Sequence, residues 1–236
     1  MSKTMNRDLA ANLKEVRESI AASCEKCGRD PGEVCLLAVS KTKPEEDILE
    51  LYKAGQRDFG ENYVQELMRK QQALPSDIRW HMIGHLQRNK VKYIAGFVSM
   101  IHSVDSLALA WKIESEAAKH DRVIPILIEV NVADEESKFG IPPEDVPLFA
   151  KAVRELPHVR LAGLMTSAPL TEDPEEVRFV FRKMRQLSVD INLENDNNGK
   201  VNVLSMGMSN DYRVAIEEGS TCVRIGTSLF GARNYS

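Results

Sequence analysis

Short apolar runs alternate along this chain with longer segments in which apolar side chains recur at helical spacing. A first helix is expected from Arg7 to Lys26, closed by Gly28. The β-rich run Val34 to Ser40 follows, then a helix from Pro44 to Lys53 that Gly55 stops. Proline in a first turn and glycine just past the last are the usual punctuation of a helix. Arg57 to Gly60 leads into a helix near Tyr63 to Gln72, and Arg79 to Ile83 into one from Gln87 to Ile94. Val98 to His102 precedes a helix capped by Asp105 or Ser106 and ending at His120. Ile124 to Val132 is almost continuously apolar, as a strand covered on both faces should be. A loop from Asp134 to Pro143 joins it to a helix ending near Glu155. Val159 to Met165 then precedes a helix from Pro174 to Leu187, Val201 to Ser205 precedes one from Asp211 to Glu217, and Cys222 to Ile225 comes last.

That makes about eight strand-then-helix units, and strict alternation implies a parallel sheet with right-handed crossovers. The expected fold is α/β, a single (β/α)8 TIM barrel with an extra N-terminal helix, since such barrels begin near roughly 200 residues. A doubly wound open sheet has the same period and is the alternative. No linker or composition shift divides residues 1–236, so one domain is expected. With 31 basic against 35 acidic residues the formal charge is −4, which argues against a nucleic-acid partner. No apolar stretch is long enough to span a membrane, and Met1 to Asp8 lacks the apolar core of a signal peptide. Four cysteines are too few for a disulfide scaffold, and a cytoplasmic protein is expected.

In a barrel of this kind the chemistry sits in the loops after the strands. Lys41 follows the first apolar run directly. Partial desolvation there lowers an ammonium pKa and makes the amine nucleophilic, whereas Lys43 reads as a solvated loop residue. Ser205 to Asp211 is a small-residue turn opening onto a helix, with Ser209 where an N-cap would sit. Gly226 and Thr227 follow the last strand, where a glycine lets an anion approach the backbone and a threonine adds a hydroxyl. The loops after strands seven and eight are the recurrent phosphate site of these barrels. A phosphate grip opposite a lysine suggests pyridoxal 5′-phosphate (PLP). Arg224, a permanent cation at the end of an apolar strand, is then placed to face the pyridine nitrogen, or else to pair with a carboxylate.

These residues lie in longer blocks. Val39-Ser40-Lys41-Thr42-Lys43-Pro44, Phe59-Gly60-Glu61-Asn62-Tyr63-Val64-Gln65-Glu66 and His81-Met82-Ile83-Gly84-His85-Leu86-Gln87-Arg88-Asn89-Lys90 are three of them. Gly163-Leu164-Met165, Leu204-Ser205-Met206-Gly207-Met208-Ser209, Val223-Arg224-Ile225-Gly226-Thr227 and Phe230-Gly231-Ala232-Arg233 complete the set, in order along nearly the whole chain. Together they resemble the signature blocks of the pyridoxal phosphate homeostasis proteins, the YggS-like family. The resemblance implies a barrel like the N-terminal domain of alanine racemase, with PLP held on Lys41 as a Schiff base. It implies phosphate contacts from Ser209, Gly226 and Thr227, and Arg224 at the pyridine nitrogen. It further implies a place for Asn62 near the ring and packing of Met82, Met165 and Met208 around the cofactor, or simply in the barrel core. Members of that family carry or regulate PLP without established turnover, so client PLP enzymes are implied partners, and a monomer is expected.

Other motifs point to no further chemistry. Cys24 and Cys27 form a C-x-x-C at the end of the first helix, away from the helix N-terminus that would activate a thiol, and read as surface positions. His81 and His85 are separated by Gly84 in strand-like sequence, which argues against a zinc pair. Arg88, Lys90 and Lys92 have only Tyr93 as a stacking neighbour and read as a solvated face. The Asn/Asp-rich stretch from Ser188 to Lys200, densest over residues 190–199, lies on the side away from the lysine. Two other functions share the barrel. A racemase needs a second acid/base group, for which Tyr212 and Tyr235 are the candidates, and the chain ends eleven residues after Ile225, where such a racemase continues into a β-domain. A PLP-free phosphosugar aldolase would use Lys41 and the same phosphate loops.

Overall fold

The computed structural model describes residues 8–135, 139–193 and 200–231. The apolar runs form eight parallel strands: β1 (Cys35–Val39), β2 (Asp58–Glu61), β3 (Arg79–Met82), β4 (Met100–Val104), β5 (Ile124–Glu129), β6 (Val159–Met165), β7 (Val203–Met208) and β8 (Cys222–Ile225). They pair in chain order, and β8 returns to β1 with Cys35 opposite Cys222 and Leu37 opposite Arg224. The sheet is therefore a closed barrel, and the open-sheet alternative is excluded. Around it lie α1 (Leu9–Lys26), α2 (Glu45–Lys53), α3 (Val64–Ala73), α4 (Leu107–Lys119), α5 (Val146–Arg154), α6 (Arg178–Leu193), α7 (Tyr212–Glu217) and α8 (Thr227–Phe230). Asp8 caps α1 by accepting from the Ala11 amide at 2.8 Å, and Ser106 caps α4 through the Leu109 amide.

Most of the core lies between sheet and helices, where Phe59 and Trp80 pack with ring centroids 5.9 Å apart beside Met82 and Ile101. A separate apolar group, Leu127, Ala162 and Met165 with Met100 and Val203, belongs to the lumen. Met165 thus faces inward, while Met82 belongs to the helix-facing layer and does not point into the barrel. The first helix lies on the late part of the chain. Its buried stripe is Leu9, Leu13, Val16, Ile20 and Cys24. Asn12 Nδ2 donates to the Leu229 carbonyl at 2.9 Å, and Tyr212 Oη to Ser19 Oγ at 2.8 Å, so α1 braces α7 and α8.

Four local expectations need correcting. The segment after β3 is a 3-10 helix, Arg88–Tyr93, because only Val91 in it is buried and no apolar stripe holds an α-helix. The helix after β6 opens with a 3-10 turn, Pro174–Val177, and α6 runs on to Leu193. Ile191 is buried there, and Ser188 and Asn192 tie the last turns to the Val201 carbonyl at 2.9 Å each. Residues 194–199 of the Asn-rich stretch lie outside the described residues. Strand β7 continues through Met208, because Ser205 and Met208 pair with Cys222 and Arg224 across a register shift. Cys24 is fully buried and Cys27 half-buried, so this pair is not a surface feature. Burial pushes the Cys24 thiol above its usual range, and Cys27 Sγ donates to the Ser23 carbonyl. The cysteines are free, and among the described residues no His/Cys/Asp/Glu group could hold a metal ion. No described helix is long and apolar enough to cross a membrane.

Candidate cofactor site

The ends of β1, β7 and β8 meet over one cavity of about 450 Å³, within the roughly 300–1,000 Å³ of small-molecule sites. Lys41, Met208, Ser209, Arg224, Gly226 and Thr227 all line it. Ile83, Pro169 and Leu170 add apolar wall from the loops after β3 and β6. Lys43 lines it as well, half-buried with Nζ 5.8 Å over the Phe230 ring, and so differs from the solvated residue expected. Asn62 follows β2 at the same end of the barrel, but it packs against Gly84 and is not among the residues lining the cavity. A Cβ on Gly84 would stand 2.5 Å from the Asn62 carbonyl oxygen, so this close approach needs glycine.

Ser209 does not cap α7. Its Oγ accepts from the Ser228 amide at 3.3 Å, which links the loop after β7 to the first turn of α8. Asp211 instead holds the loop, its Oδ1 accepting from the Met208 amide at 2.6 Å. Gly226 and Thr227 start α8, where the first amides of a helix lack intrahelical acceptors. Ser209 of one loop and Gly226 and Thr227 of the other thus border the same cavity. They bring to its wall hydroxyl-bearing residues and a helix start of the kind that suits an anion.

Arg224 is buried to 5% exposure, and its partners are carbonyls and hydroxyls rather than a carboxylate. Nη1 donates to the Ser205 carbonyl at 2.6 Å and to Ser205 Oγ at 2.9 Å. Nη2 donates to the Thr166 carbonyl at 2.8 Å and to Ser167 Oγ at 3.1 Å. Among the described residues this leaves Nε–H as the remaining donor. Burial pulls the guanidinium below its usual range, yet an arginine keeps its proton in any protein setting.

Behind Arg224 a polar chain crosses the barrel, which the sequence did not disclose. His102 Nδ1 lies 2.9 Å from Ser205 Oγ, a contact between the non-adjacent strands β4 and β7 that must pass through the lumen. His102 Nε2 lies 2.9 Å from His81 Nδ1, and His81 Nε2 lies 3.3 Å from Asp58 Oδ1. Burial, His81 and Arg224 hold the His102 imidazole well below its usual pKa. Burial opposes ionisation of Asp58, but hydrogen bonds from His81 and Arg79 outweigh it and lower its pKa to about 2. Arg224, Ser205, His102, His81 and the Asp58 carboxylate thus form one continuous polar chain, in which a neutral His102 accepts through one ring nitrogen and donates through the other. Glu129 also faces this region. Burial pushes its carboxyl up to about 7, with Asp105 adding to the rise and Arg224 opposing it. Its Oε2 has no partner among the described residues.

A second cavity of about 440 Å³ lies at the opposite end of the strands, between Cys35, Gln56, Asp58 and Arg79. Arg57 pairs there with Asp77 at 2.8 Å and Arg79 with Asp58 through two hydrogen bonds, while Arg17 donates to the Gly55 carbonyl and Gln56 Oε1. It therefore lacks the lysine and the amide-rich turns of the first.

The family model described as alanine racemase, N-terminal domain, matches residues 8–234. The pyridoxal phosphate homeostasis protein of Aquifex aeolicus is 50% identical over 226 residues, covering 94% of this chain and 97% of that protein. The protein of the same name from Pseudomonas aeruginosa is 44% identical, covering 96% of each. Among solved structures, PipY of Synechococcus elongatus with PLP bound superposes with a TM-score of 0.83 at 35% identity, over 94% of this chain and 100% of PipY. Alanine racemase of Clostridium difficile, at 15% identity and a TM-score of 0.75, shares the fold over 97% of this chain and 58% of its own. The eight-stranded closed barrel, the cavity at its C-terminal end and these likenesses agree, and the chain belongs to the family of pyridoxal phosphate homeostasis proteins.

Proposed function

We propose that this chain, as a single barrel domain, binds PLP in the cavity at the ends of β1, β7 and β8 and serves PLP homeostasis as a carrier without turnover. The observation that carries this reading is the convergence of Lys41 with Ser209, Gly226, Thr227 and Arg224 on one cavity. When bound, the cofactor supplies an aldehyde carbon that the neutral Lys41 amine can bond, its oxygen leaving as water with the amine's two protons. Ser209, Gly226 and Thr227 hold the phosphate. Arg224 donates Nε–H to the pyridine nitrogen, and a fixed cation there disfavours protonating that nitrogen and weakens the ring as an electron sink.

The relatives bear the name of homeostasis proteins, not of enzymes, which supports the non-catalytic reading. So does Tyr212, a candidate second base for racemisation, whose hydroxyl is engaged by Ser19 Oγ beneath α1. Tyr235 lies outside the described residues. Client PLP enzymes are the partners this role requires.

The test is the absorption spectrum of the protein with PLP, before and after borohydride, followed by peptide mass mapping. A band near about 420 nm, where a lysine-bound cofactor absorbs, that is replaced on reduction by a tag on Lys41 is expected. Lys41→Ala should abolish the tag. A tag on another lysine would sink the assignment, and an L-amino acid losing optical purity with the loaded protein would sink the carrier role.

A further inference from the structure

Beneath Lys41 lies a cluster of charged side chains that the cofactor reading does not use. Lys70 of α3 has no exposed surface, nor has Glu61 at the end of β2. Lys70 Nζ donates to the Ser40 carbonyl at 2.7 Å, to Glu61 Oε1 at 2.8 Å and to Glu66 Oε1 at 2.7 Å. Three acceptors use all three N–H groups of an ammonium. Ser40 Oγ donates to Glu61 Oε1 at 2.6 Å, and Glu66 Oε1 also accepts from the Thr42 amide at 2.7 Å.

These bonds fall on both sides of one residue. The carbonyl before Lys41 is held by Lys70, and the amide after it is held by Glu66. Past the end of β1 at Val39, the Ser40 amide still donates to the Gly60 carbonyl at 3.1 Å, and the Ser40 carbonyl also accepts from the Lys43 amide at 3.0 Å. The side-chain bonds add to a turn that encloses Lys41 and Thr42. Thr42 adopts φ +63°, a left-handed conformation that is a genuine outlier for a β-branched residue and persists only where its surroundings enforce it. A buried ion-pair cluster stabilises a fold little beyond apolar side chains of similar volume, and its best use is to specify one conformation. Here the conformation specified is that of residues 40–42.

We propose that Lys70, Glu61 and Glu66 are positioning residues for Lys41, clamping the peptide groups on either side of it so that the amine is presented to the cavity in one geometry. The proposal rests on the reading of Lys41 as the lysine that captures PLP. It assigns the three residues no contact with the cofactor.

The clamp predicts a split between two ligands. The double variant Lys70→Met/Glu61→Gln removes the two fully buried charges together and leaves only Glu66, which solvent partly reaches. It should bind 4′-deoxypyridoxine 5′-phosphate, the PLP analogue with a methyl in place of the aldehyde, as the parent does. Its rate of PLP capture at Lys41, followed by borohydride trapping and mass mapping, should fall about tenfold or more, the scale of a misplaced reacting group. Glu66 is partly reached by solvent, and a second pair of variants covers a failure of the double variant to fold. Glu66→Leu should slow capture, and Glu66→Gln, which keeps an acceptor for the Thr42 amide, should restore much of the rate. Capture at the parent rate in Glu66→Leu would overturn the clamp. So would analogue affinity falling in parallel with capture, since that is general loss of structure. If the parent protein is itself tagged at another lysine, the reading of Lys41 fails instead, and the two failures are distinct.

Discussion

Glu129 is the buried carboxyl with the most measurable consequence at the scale of a single residue. Its folded pKa of about 7 lies above the ordinary 4.5, with burial as the first cause. The fold therefore favours its protonated form. The stability this contributes is fully present below about pH 4.5 and is lost as pH rises through 7. Glu129→Gln keeps the shape and removes the titration. Its stability should match the parent at pH 4 and exceed it at pH 8 by on the order of 1–3 kcal/mol, read as a higher thermal midpoint. Equal midpoints at pH 8 would mean that the carboxylate is better solvated than its surroundings imply. Single residues also divide into those legible in sequence and those not. Lys41 and Arg224 stood out because each is a cation at the end of an apolar run. Lys70 and Glu61 did not, because their burial depends on α3 folding back over the end of β2. One available signal was Lys70 three places after Leu67, on the apolar stripe of a helix.

Between elements, the tightest fit lies where β6 passes β7. Gly163 pairs with Val203, and a Cβ there would stand 1.8 Å from the Val203 carbonyl oxygen. No rotamer relieves a clash between a Cβ and a backbone atom, so the two strands would have to part. Gly163→Ala should destabilise the protein by about 3 kcal/mol, which lowers the thermal midpoint by roughly 6–12 °C for a chain of this size. A midpoint within 2 °C of the parent, by circular dichroism, would show that the strands separate there at little cost. Strand and helix order was readable at this scale because apolar period changes from one element to the next. Boundaries were not readable where side chains decide them. Ser188 and Asn192 extend α6 by bonding to Val201, a contact that no local pattern announces. The turn expected from Ser205 became strand because its partners in β8 were distant in sequence.

For the whole molecule, the cavity exists only in the closed barrel, since its walls come from β1, β7 and β8. PLP should therefore bind the folded state and not the unfolded chain. At a free concentration of 100 times Kd it should stabilise the protein by about 2.7 kcal/mol, with a matching rise in thermal midpoint. An unchanged midpoint under saturation would place the cofactor elsewhere. The eight-fold rhythm of strand and helix was enough to expect a parallel sheet, but period alone left closure open. The pairing of Cys35 with Cys222 and Leu37 with Arg224 supplies it.

That seam orders events in time. A ribosome releases Lys41 early and the loops around Ser209 and Gly226 much later, on the order of ten seconds afterwards at ordinary synthesis rates. During that interval the nascent chain holds Lys41 without the residues of β7, β8 and their loops that complete the cavity wall. The cavity forms in the same step that joins the first strand to the last. A copy truncated before Cys222, or closed in another register, therefore lacks this cavity.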